Sequence, residues 1–544
     1  MGRRRIQTMG LIFSGLCFAL AAWLFLALGE ENGLSARSAS AKKLLSITEK
    51  LTELSDEESL SFSLCLGDVP LPCDRGRHIV YLPVDMDDAL WENGRLEATE
   101  GVAAIFEKGF EQADKLALLA AGEGIPFLAV AGKGYERWTL LPVGLPVMDL
   151  EPAEGLSEGD KPLYQLSVYE PAAEGVKVTK CLTRADLRGN TSLTYEKKSL
   201  RLRLRKEKDG AIKKEKKKLL GMRKDDDWIL NSLYADPSRL RDKLSMDLWQ
   251  ETGAKSNPFG IAFGVTGEYV EVIINEGYTG LYLLSYPVDR KLLQMEKVST
   301  QLSRGEDLVE RIYKKKYTAP LAAESFMGAL PDPGMPDFRG GYYLKGDAVL
   351  QSEEEWESLR RLAEELQKAS EGQANELLSL CDQENVLENW LFYQAIGGFD
   401  NENKNHYFVT RRQNGALKGY FIPWDMNISF GCVYAENPFY CEESMEPVEQ
   451  VVAFEPGQIM YEQDLGESKK ALAAIWKRWR EGPFATERVT ERIDALEKRL
   501  QSSGALAREC ERWPAGNASP ELGHMKRFTE ERLAFVDRLM AEDE

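Results

Sequence analysis

The sequence predicts an α+β fold in which a strand-rich first part is followed by a mainly helical second part. Residues 198–206 alternate strictly, with Leu200, Leu202 and Leu204 on one face and polar side chains on the other, which is typical of a strand. Residues 353–369 instead repeat apolar side chains every three or four positions, as an amphipathic helix does. This order of strands and helices predicts a layout with two lobes.

The first residues carry a candidate membrane segment. Arg3, Arg4 and Arg5 precede an uncharged run of 20 residues, 10–29, which is long enough to cross a hydrocarbon core of roughly 30 Å. Arginines on this side of the run place the N-terminus in the cytoplasm. We therefore predict that residues 1–30 anchor the chain in a membrane, with its body outside. A secretory signal cleaved after residues 27–29 is the alternative, and it would leave the protein secreted.

Composition excludes several classes of function. The 544 residues carry a net charge of -19, which argues against nucleic acid as the main partner because binding to phosphate backbones needs a basic face. Only three histidines are present, so neither a zinc site built on histidine nor a Ser-His-Asp triad is expected, unless His406 alone serves. A bound metal is instead expected to have oxygen ligands, which suits Mg²⁺.

Changes in composition suggest domain boundaries. Residues 31–60 are polar and predict a linker, and residues 61–155 predict a small α+β region in which no chemical motif is recognised. An acidic stretch with glycine and proline, residues 151–162, is a plausible boundary. The main domain is predicted over residues 161–541, with a helical extension at its C-terminal end.

Two local features each have two interpretations. The close cysteine pairs Cys65/Cys73 and Cys432/Cys441 are either disulfides of an exported protein or buried free thiols. The basic run at residues 213–218 either holds an acidic substrate or phosphate groups, or it is a solvated loop.

The residues that carry chemistry lie between 399 and 431. Asp400 is followed five positions later by Asn405, which is the spacing of the catalytic loop in protein kinases, where the Asp orients the substrate hydroxyl and the Asn holds Mg²⁺. Two strands joined by Asn414-Gly415 follow and lead into Asp425. Because a hairpin folds back on itself, we expect Asp425 to return close to Asn405. An isolated Asp at such a spacing is more often a cap or turn residue, so the prediction rests on the joint occurrence of these elements.

These residues resemble a known family, the CotH kinases of spore coats and related secreted proteins. The resemblance covers roughly residues 165–435 and rests mainly on FDNENKNHYF at 399–408 and PWDMNISFG at 423–431. Weaker matches are RGNTS at 188–192, KKSLRLRL at 197–204, the stretch 219–244 and VEVIINEGYTGLYLL at 270–284.

The resemblance implies an atypical, two-lobed protein-kinase-like fold that lacks a standard glycine-rich loop. It also implies transfer of the ATP γ-phosphate to Ser or Thr of a secreted, coat or envelope protein, with Mg²⁺ or Mn²⁺ as cofactor.

The resemblance also implies roles for individual residues. Asp400 is the implied catalytic residue, Asp425 the principal metal ligand, and Asn405 and Asn427 further metal ligands. Lys198 is our choice for the lysine that contacts the ATP phosphates.

Three choices in the nucleotide site stay open. Lys198 is preferred because it shares a strand face with Leu200 and Leu202, and Lys197 is the second choice. Arg188 and Gly189 either approach the nucleotide phosphates or form a plain turn. The acid that pairs with the lysine is expected from the helix at 238–252, where the candidates are Asp247 and Glu251.

Two positions depart from the family pattern. The family usually reads Trp-Asp-x-Asp where this chain has Asn427, and it often has Glu where this chain has Tyr286. Reduced or lost activity is therefore the alternative, with the chain acting as a pseudokinase-like, surface-anchored module that binds a partner protein.

Overall fold

The computed structural model describes residues 35–84, 94–172, 175–328, 337–346, 352–373, 375–434, 441–516 and 522–541. It confirms that the chain combines helices and sheets as an α+β fold. The predicted membrane segment, residues 1–30, lies outside the described residues. Within the described ranges, no helix has both the length and the apolar character that crossing a bilayer requires.

The first part of the chain forms a seven-stranded sheet with its own core. Its elements are β1 (Ser38–Ala39), α1 (Ala41–Thr48), β2 (Thr52–Glu53), β3 (Leu64–Leu66), β4 (Val69–Pro70), β5 (Cys73–Asp74), β6 (Ile79–Pro83), β7 (Leu96–Ala98), β8 (Ala103–Glu107), α2 (Lys115–Ala121), β9 (Ile125–Ala131) and β10 (Gly134–Val143). The order is β1-β8-β9-β10-β6-β5, and β2 also pairs with β10, while β3, β4 and β7 form a separate small sheet.

The segment that was predicted as a linker, residues 31–60, contributes to this sheet. Strand β1 pairs with β8, and β2 pairs with β10. The difference has a physical reason: short outer strands are held by backbone hydrogen bonds, so a polar sequence can supply them without an apolar pattern.

The next part forms an eight-stranded sheet that closes on itself. The elements of this part are β11 (Val147–Glu158), β12 (Lys161–Ala172), β13 (Gly175–Arg188), β14 (Ser199–Lys208), β15 (Ala211–Lys214), β16 (Lys217–Lys218), β17 (Lys224–Asp225), β18 (Asp227–Asn231), α3 (Arg241–Glu251), β19 (Gly267–Ile274) and β20 (Gly277–Ser285). Strands β16 and β17 pair only with each other, and the other eight strands form the sheet. The order is β13-β12-β11-β19-β20-β18-β14-β15, and β13 also pairs with β14, which closes a ring.

The boundary predicted at residues 151–162 lies inside this sheet. These residues belong to the hairpin of β11 and β12, which turns at Gly159 with φ 64°. The far end of the hairpin is largely exposed, so its strands carry the acidic and polar residues that suggested a linker. The chain passes from the first sheet to the second near residue 145, between β10 and β11.

The alternation predicted for residues 198–206 is confirmed. Leu200, Leu202 and Leu204 of β14 are buried in the main hydrophobic core, whereas Arg201 and Arg203 on the opposite face are partly exposed. One face of this strand therefore belongs to the core, and the other is free to line a site.

The remaining part contains most of the described helices around a four-stranded sheet of order β22-β21-β23-β24. Its elements are α4 (Val298–Ser303), β21 (Arg311–Lys315), β22 (Tyr342–Lys345), α5 (Glu357–Ser370), α6 (Leu377–Leu380), α7 (Gln383–Ile396), β23 (His406–Gln413), β24 (Ala416–Pro423), β25 (Cys432–Tyr434), β26 (Cys441–Glu443), α8 (Glu455–Glu462), α9 (Ser468–Arg480), α10 (Thr486–Ser502), α11 (Ala505–Arg512) and α12 (Gly523–Ala541). One hydrophobic core runs through this part and the eight-stranded sheet.

The predicted turn of the hairpin β23–β24 is confirmed. Asn414 and Gly415 have φ values of 52° and 80°, as a two-residue turn with a left-handed backbone requires. The register pairs His406 with Pro423, so the residues just outside the two ends, Asn405 and Trp424, lie opposite each other.

The cysteine pairs are free thiols in this structure. Cys432 and Cys441 lie on the paired strands β25 and β26 and are buried in the same small apolar cluster. Cys65 and Cys73 lie on strands of two different sheets.

A buried carboxylate on α11 joins the C-terminal helices to the eight-stranded sheet. The Glu509 side chain is fully buried and accepts hydrogen bonds from Lys197 Nζ at 2.8 Å, Arg239 Nε at 3.2 Å and the Leu281 N–H at 2.9 Å. Two cations and a backbone amide thus compensate the removal of this carboxylate from water.

We expect Glu509→Ala to lower the free energy of unfolding by about 3–5 kcal/mol, because Lys197 and Arg239 would stay buried without their anion. Chemical denaturation of the purified protein measures the change. Glu511→Ala is the matched control, since Glu511 lies on the same helix with a side chain that is 62% exposed, and its ion pair with Arg77 is worth about 1 kcal/mol or less. Equal losses for the two variants would contradict a supporting role for Glu509.

Candidate active site

A polar cavity of about 330 Å³ lies between the eight-stranded sheet and the hairpin β23–β24. Its wall includes the loop that follows β13, the pocket-facing side of β14, the end of β18, strands β21 and β22, and the segments before and after the hairpin. The charged residues on this wall are Arg188, Arg201, Lys314, Lys316, Lys345, Lys404, Asp236, Asp242, Asp400 and Asp425.

The loop with Asp400 begins where helix α7 ends. Gly397 closes this helix in a left-handed conformation with φ 62°, and a short turn at residues 399–401 follows. Asp400 Oδ2 accepts a hydrogen bond of 2.5 Å from Asn405 Nδ2. The two residues of the predicted catalytic-loop spacing are therefore in direct contact.

The Asn401 side chain holds the two ends of the hairpin together. Its Nδ2 donates to the backbone oxygen of Asn405 at 2.8 Å and to that of Trp424 at 3.0 Å. The Trp424 N–H also donates to the Asn405 oxygen at 3.0 Å. Asp425 comes directly after Trp424, so these bonds bring it to the cavity that Asp400 and Asn405 line.

Asp425 has an exposed side chain and a left-handed backbone with φ 58°. Asn427 lines the same cavity. The structure thus brings Asp400, Asn405, Asp425 and Asn427 to one place, as the hairpin argument predicted.

Asp242, in the first turn of α3, is a buried acidic residue of this site that the sequence did not identify. It accepts hydrogen bonds from the Met426 N–H at 2.8 Å and from Asn231 Nδ2 at 2.7 Å. Burial, together with the nearby Asp425 carboxylate, raises the pKa of Asp242 to about 8. Asp242 thus ties α3 to the segment that carries Asp425.

The acids predicted from this helix, Asp247 and Glu251, do not line the cavity. Asp247 pairs with Lys243 at 2.7 Å, and Glu251 pairs with Arg492. Asp247 follows Asp242 by five residues, which rotates it by about 140° around the helix. The prediction chose the correct helix but the wrong side of it.

Lys198 does not reach the cavity either. Its Nζ donates to the backbone oxygens of Leu193, at 2.8 Å, and Tyr195. The prediction placed it on the face of Leu200 and Leu202, but that face is buried in the core. Strand β14 lines the cavity from its other face, with Ser199 and Arg201.

The second choice, Lys197, is fully buried and pairs with Glu509. Burial lowers the pKa of Lys197 to about 8, although the Glu509 carboxylate acts in the opposite direction. Lys197 is not part of the cavity wall.

Two of the lysines that do face the cavity, Lys314 and Lys345, come from the four-stranded sheet. Lys314 of β21 lies with its Nζ 5.3 Å from the centre of the Trp424 ring. Burial, and then the charges of Arg188 and Lys345, lower the pKa of Lys314 to about 7. Burial likewise lowers the pKa of Lys345 to about 8. These positive charges repel one another, and an anion bound among them would reduce this repulsion.

The loop after β13 contributes Arg188 and Gly189, both of which line the cavity. Gly189 has φ 122°, and a Cβ there would lie 1.8 Å from Ser192 Oγ, so only glycine fits. The Arg188 guanidinium lies 5.8 Å from the centre of the Trp424 ring, which connects the loop with the segment that carries Asp425.

Two other features of the sequence lie outside the cavity. The hydroxyl of Tyr286 is hydrogen-bonded to Thr266 Oγ1 at 3.0 Å, and its ring packs against Arg223. The basic run at residues 213–218 makes loose ion pairs, such as Lys217 with Glu215 at 3.4 Å, and does not contribute to the cavity wall.

The donor set of the cavity fits a hard divalent cation. Mg²⁺ is usually bound by one or two carboxylates, with water and substrate phosphates completing its shell. Asp425 would supply a carboxylate to such a cation, and Asn405 and Asn427 would supply amide oxygens. Burial, and then the nearby Asp425 carboxylate, raise the pKa of Asp242, and a cation between such carboxylates would stabilise their charged forms. Among the described residues, no group of three or more His, Cys, Asp and Glu side chains is placed to hold a metal ion.

The cavity therefore combines a catalytic-loop pair, oxygen ligands for a cation and a set of cations suited to phosphate groups, which together define a candidate phosphotransferase site. A protein-family model with the description CotH kinase protein matches residues 185–536. This match covers more than half of the chain, and the chain belongs to the CotH kinase family. The family suggests a kinase and, in general, the use of ATP. No curated protein matches the chain.

We expect Asn401→Ala to lower the free energy of unfolding by about 1–3 kcal/mol, because the Trp424 oxygen would lose its side-chain donor and the Asn405 oxygen would keep only the Trp424 N–H. Chemical denaturation measures this loss. Gln501→Ala is the control, since the exposed Gln501 amide donates to Glu497 one turn away in a bond that is open to solvent. A loss no larger than that of the control would show that the Asn401 bonds do not hold the hairpin ends.

Proposed function

We propose that this protein transfers the γ-phosphate of ATP to Ser or Thr of a secreted, coat or envelope protein and depends on Mg²⁺ or Mn²⁺. The observation that carries the proposal is the arrangement of one cavity, in which Asp400, Asn405 and Asp425 lie together with Lys314 and other cations. Phosphoryl transfer needs this combination, because catalysis rests on positioning and on neutralising the phosphate charge.

In this proposal Asp400 orients the acceptor hydroxyl and takes its proton. Its carboxylate is held by Asn405 and by Lys404 Nζ, which lies 2.9 Å from Asp400 Oδ1. Burial raises the pKa of Asp400, whereas Lys404 acts in the opposite direction. The two neighbours fix the carboxylate, as a residue that must present one oxygen to a substrate requires.

Asp425, Asn405 and Asn427 are the residues that would hold the metal. When bound, the metal neutralises charge on the phosphates of ATP. Asp242 supports these ligands by accepting the Met426 N–H, which fixes the backbone directly after Asp425.

In this proposal, Lys314, Lys345, Arg188 and Arg201 contact the phosphates of the nucleotide. Gly189 allows the backbone of its loop to come close to these phosphates. This assignment keeps Arg188 and Gly189 from the sequence prediction and replaces Lys198 by Lys314. The lowered pKa values of Lys314 and Lys345 support it, because an anion between these ammonium groups would favour their charged forms.

We further propose that the eight-stranded sheet and the helical part act as the two lobes of a kinase-like fold. The cavity is lined from both parts, by strands β14 and β18 on one side and by the hairpin segments on the other. A nucleotide between two such parts is the arrangement that the family suggests.

The location proposed for this activity is outside a bacterial membrane, either anchored by residues 1–30 or secreted. The basis is the sequence alone, namely arginines before an uncharged run of 20 residues.

A second candidate function is a pseudokinase-like module, surface-anchored, that binds a partner protein. Asn427, where the family usually has Asp, favours it because an amide oxygen brings less negative charge to a metal than a carboxylate does.

Asp425→Ala and Asp400→Ala separate binding from chemistry. We expect Asp425→Ala to abolish metal-dependent ATP binding, and Asp400→Ala to keep binding but to lower phosphate transfer by about 10²–10⁴-fold. Calorimetry with and without a chelator measures binding, and incorporation of labelled phosphate measures transfer. ATP bound without any transfer would favour the pseudokinase-like module, and a wild-type protein that binds no ATP would exclude the enzyme.

Lys314→Met and Lys198→Met distinguish the two candidate lysines. We expect Lys314→Met to weaken ATP binding by about ten- to hundred-fold, because a charge-assisted contact is worth about 1.5–3 kcal/mol. Lys198→Met should leave the affinity unchanged, since its Nζ is bonded to loop carbonyls. The opposite result in the same titration would restore Lys198 as the phosphate ligand.

A further inference from the structure

Tyr434, at the end of strand β25, reaches the proposed catalytic carboxylate. Its hydroxyl donates to Asp400 Oδ2 at 3.0 Å, and its side chain forms part of the cavity wall. The residue is 42% exposed, so its ring lies at the mouth of the cavity and not in the core.

The hydroxyl of Tyr434 differs in kind from the other groups bonded to Asp400. Asn405 Nδ2 donates an amide hydrogen and Lys404 Nζ an ammonium hydrogen. Tyr434 presents an alcohol, which is the group that an acceptor substrate presents to the catalytic Asp of a kinase. Its oxygen thus lies within hydrogen-bond distance of the carboxylate that, in the proposed function, takes the acceptor's proton.

The strand that carries Tyr434 is held in place. Tyr434 pairs with Cys441 across the ribbon of β25 and β26, and both Cys432 and Cys441 are buried in a small apolar cluster with Ile428. The Ser444 N–H also donates to the Gly431 oxygen at 2.8 Å. The contact with Asp400 is therefore made by an anchored element of the same chain.

We propose, on the basis of the proposed function, that Tyr434 is a phosphate acceptor of this protein and is modified by its own active site. In this step the Tyr434 hydroxyl oxygen attacks the γ-phosphorus of ATP and forms the ester bond. The bond between that phosphorus and the oxygen bridging the β and γ positions breaks, and ADP leaves with the electron pair. The phenol proton passes to Asp400.

The surroundings suit both the reactant and the product. Burial and the Asp400 charge raise the pKa of Tyr434, so the phenol keeps its proton until transfer. The product adds a dianionic phosphate beside Lys404, whose Nζ lies 3.4 Å from the Tyr434 oxygen and 5.2 Å from the centre of its ring. A phosphate next to a lysine forms a charge-assisted contact that stabilises it.

The test is incubation of the full-length protein with ATP and Mg²⁺ or Mn²⁺, followed by peptide mapping by mass spectrometry. We expect one phosphate on Tyr434, at a rate per molecule that does not change on serial dilution, because donor site and acceptor lie in one chain. Asp400→Asn and Tyr434→Phe should each remove this phosphate. Tyr317→Phe is the matched control and should keep it, since Tyr317 is similarly exposed but does not line the cavity.

Three results would overturn the inference in distinguishable ways. A protein that binds ATP and phosphorylates an added acceptor protein, but carries no phosphate on Tyr434, would refute the modification and leave the proposed function intact. A rate that falls in proportion to dilution would refute transfer within one chain. A protein that binds ATP but phosphorylates nothing, or that binds no ATP, would refute the modification together with the proposed enzyme.

Discussion

The arrangement of this site depends on one side chain amide, that of Asn401. Its Nδ2 bonds the backbone oxygens of Asn405 and Trp424, the residues that flank the hairpin β23–β24. A hairpin brings its two ends near each other, but it does not fix the direction in which the chain leaves them. The Asn401 bonds fix this direction. They thereby determine how Asp400, before the hairpin, is placed relative to Asp425, after the hairpin.

The second constraint is the balance of charge across the cavity. Asp242, Asp400 and Asp425 lie on a wall where burial and mutual repulsion raise the pKa of the first two. Burial, and also the charges of neighbouring cations, lower the pKa values of Lys314 and Lys345. In the proposed function, a divalent cation would relieve the acidic side and a phosphate chain would relieve the basic side, so the metal complex of a nucleotide would suit both. The proposed recognition of that complex therefore rests on charge repulsion among the residues of the cavity wall itself.

The hydrophobic core explains how these groups meet. The eight-stranded sheet and the helical part share one continuous core, which fixes the distance between β14 and the hairpin. Glu509 adds a polar connection, because it pairs in the interior with Lys197 and Arg239. The polar cavity can remain open because the two parts are joined elsewhere by apolar packing and by this buried ion cluster.

The sequence by itself determined the local features: the alternation of β14, the turn at Asn414-Gly415, the loop that carries Asp400, and the family. Each depends on neighbours in the chain, whose spacing and backbone preference can be read directly. It did not determine which lysine faces the cavity or which acid of α3 does, because both depend on how whole elements are rotated against each other. Lys314 and Asp242 enter the site only through tertiary packing. Tertiary packing also decided that β1 and β2 pair with β8 and β10, which lie far from them along the chain.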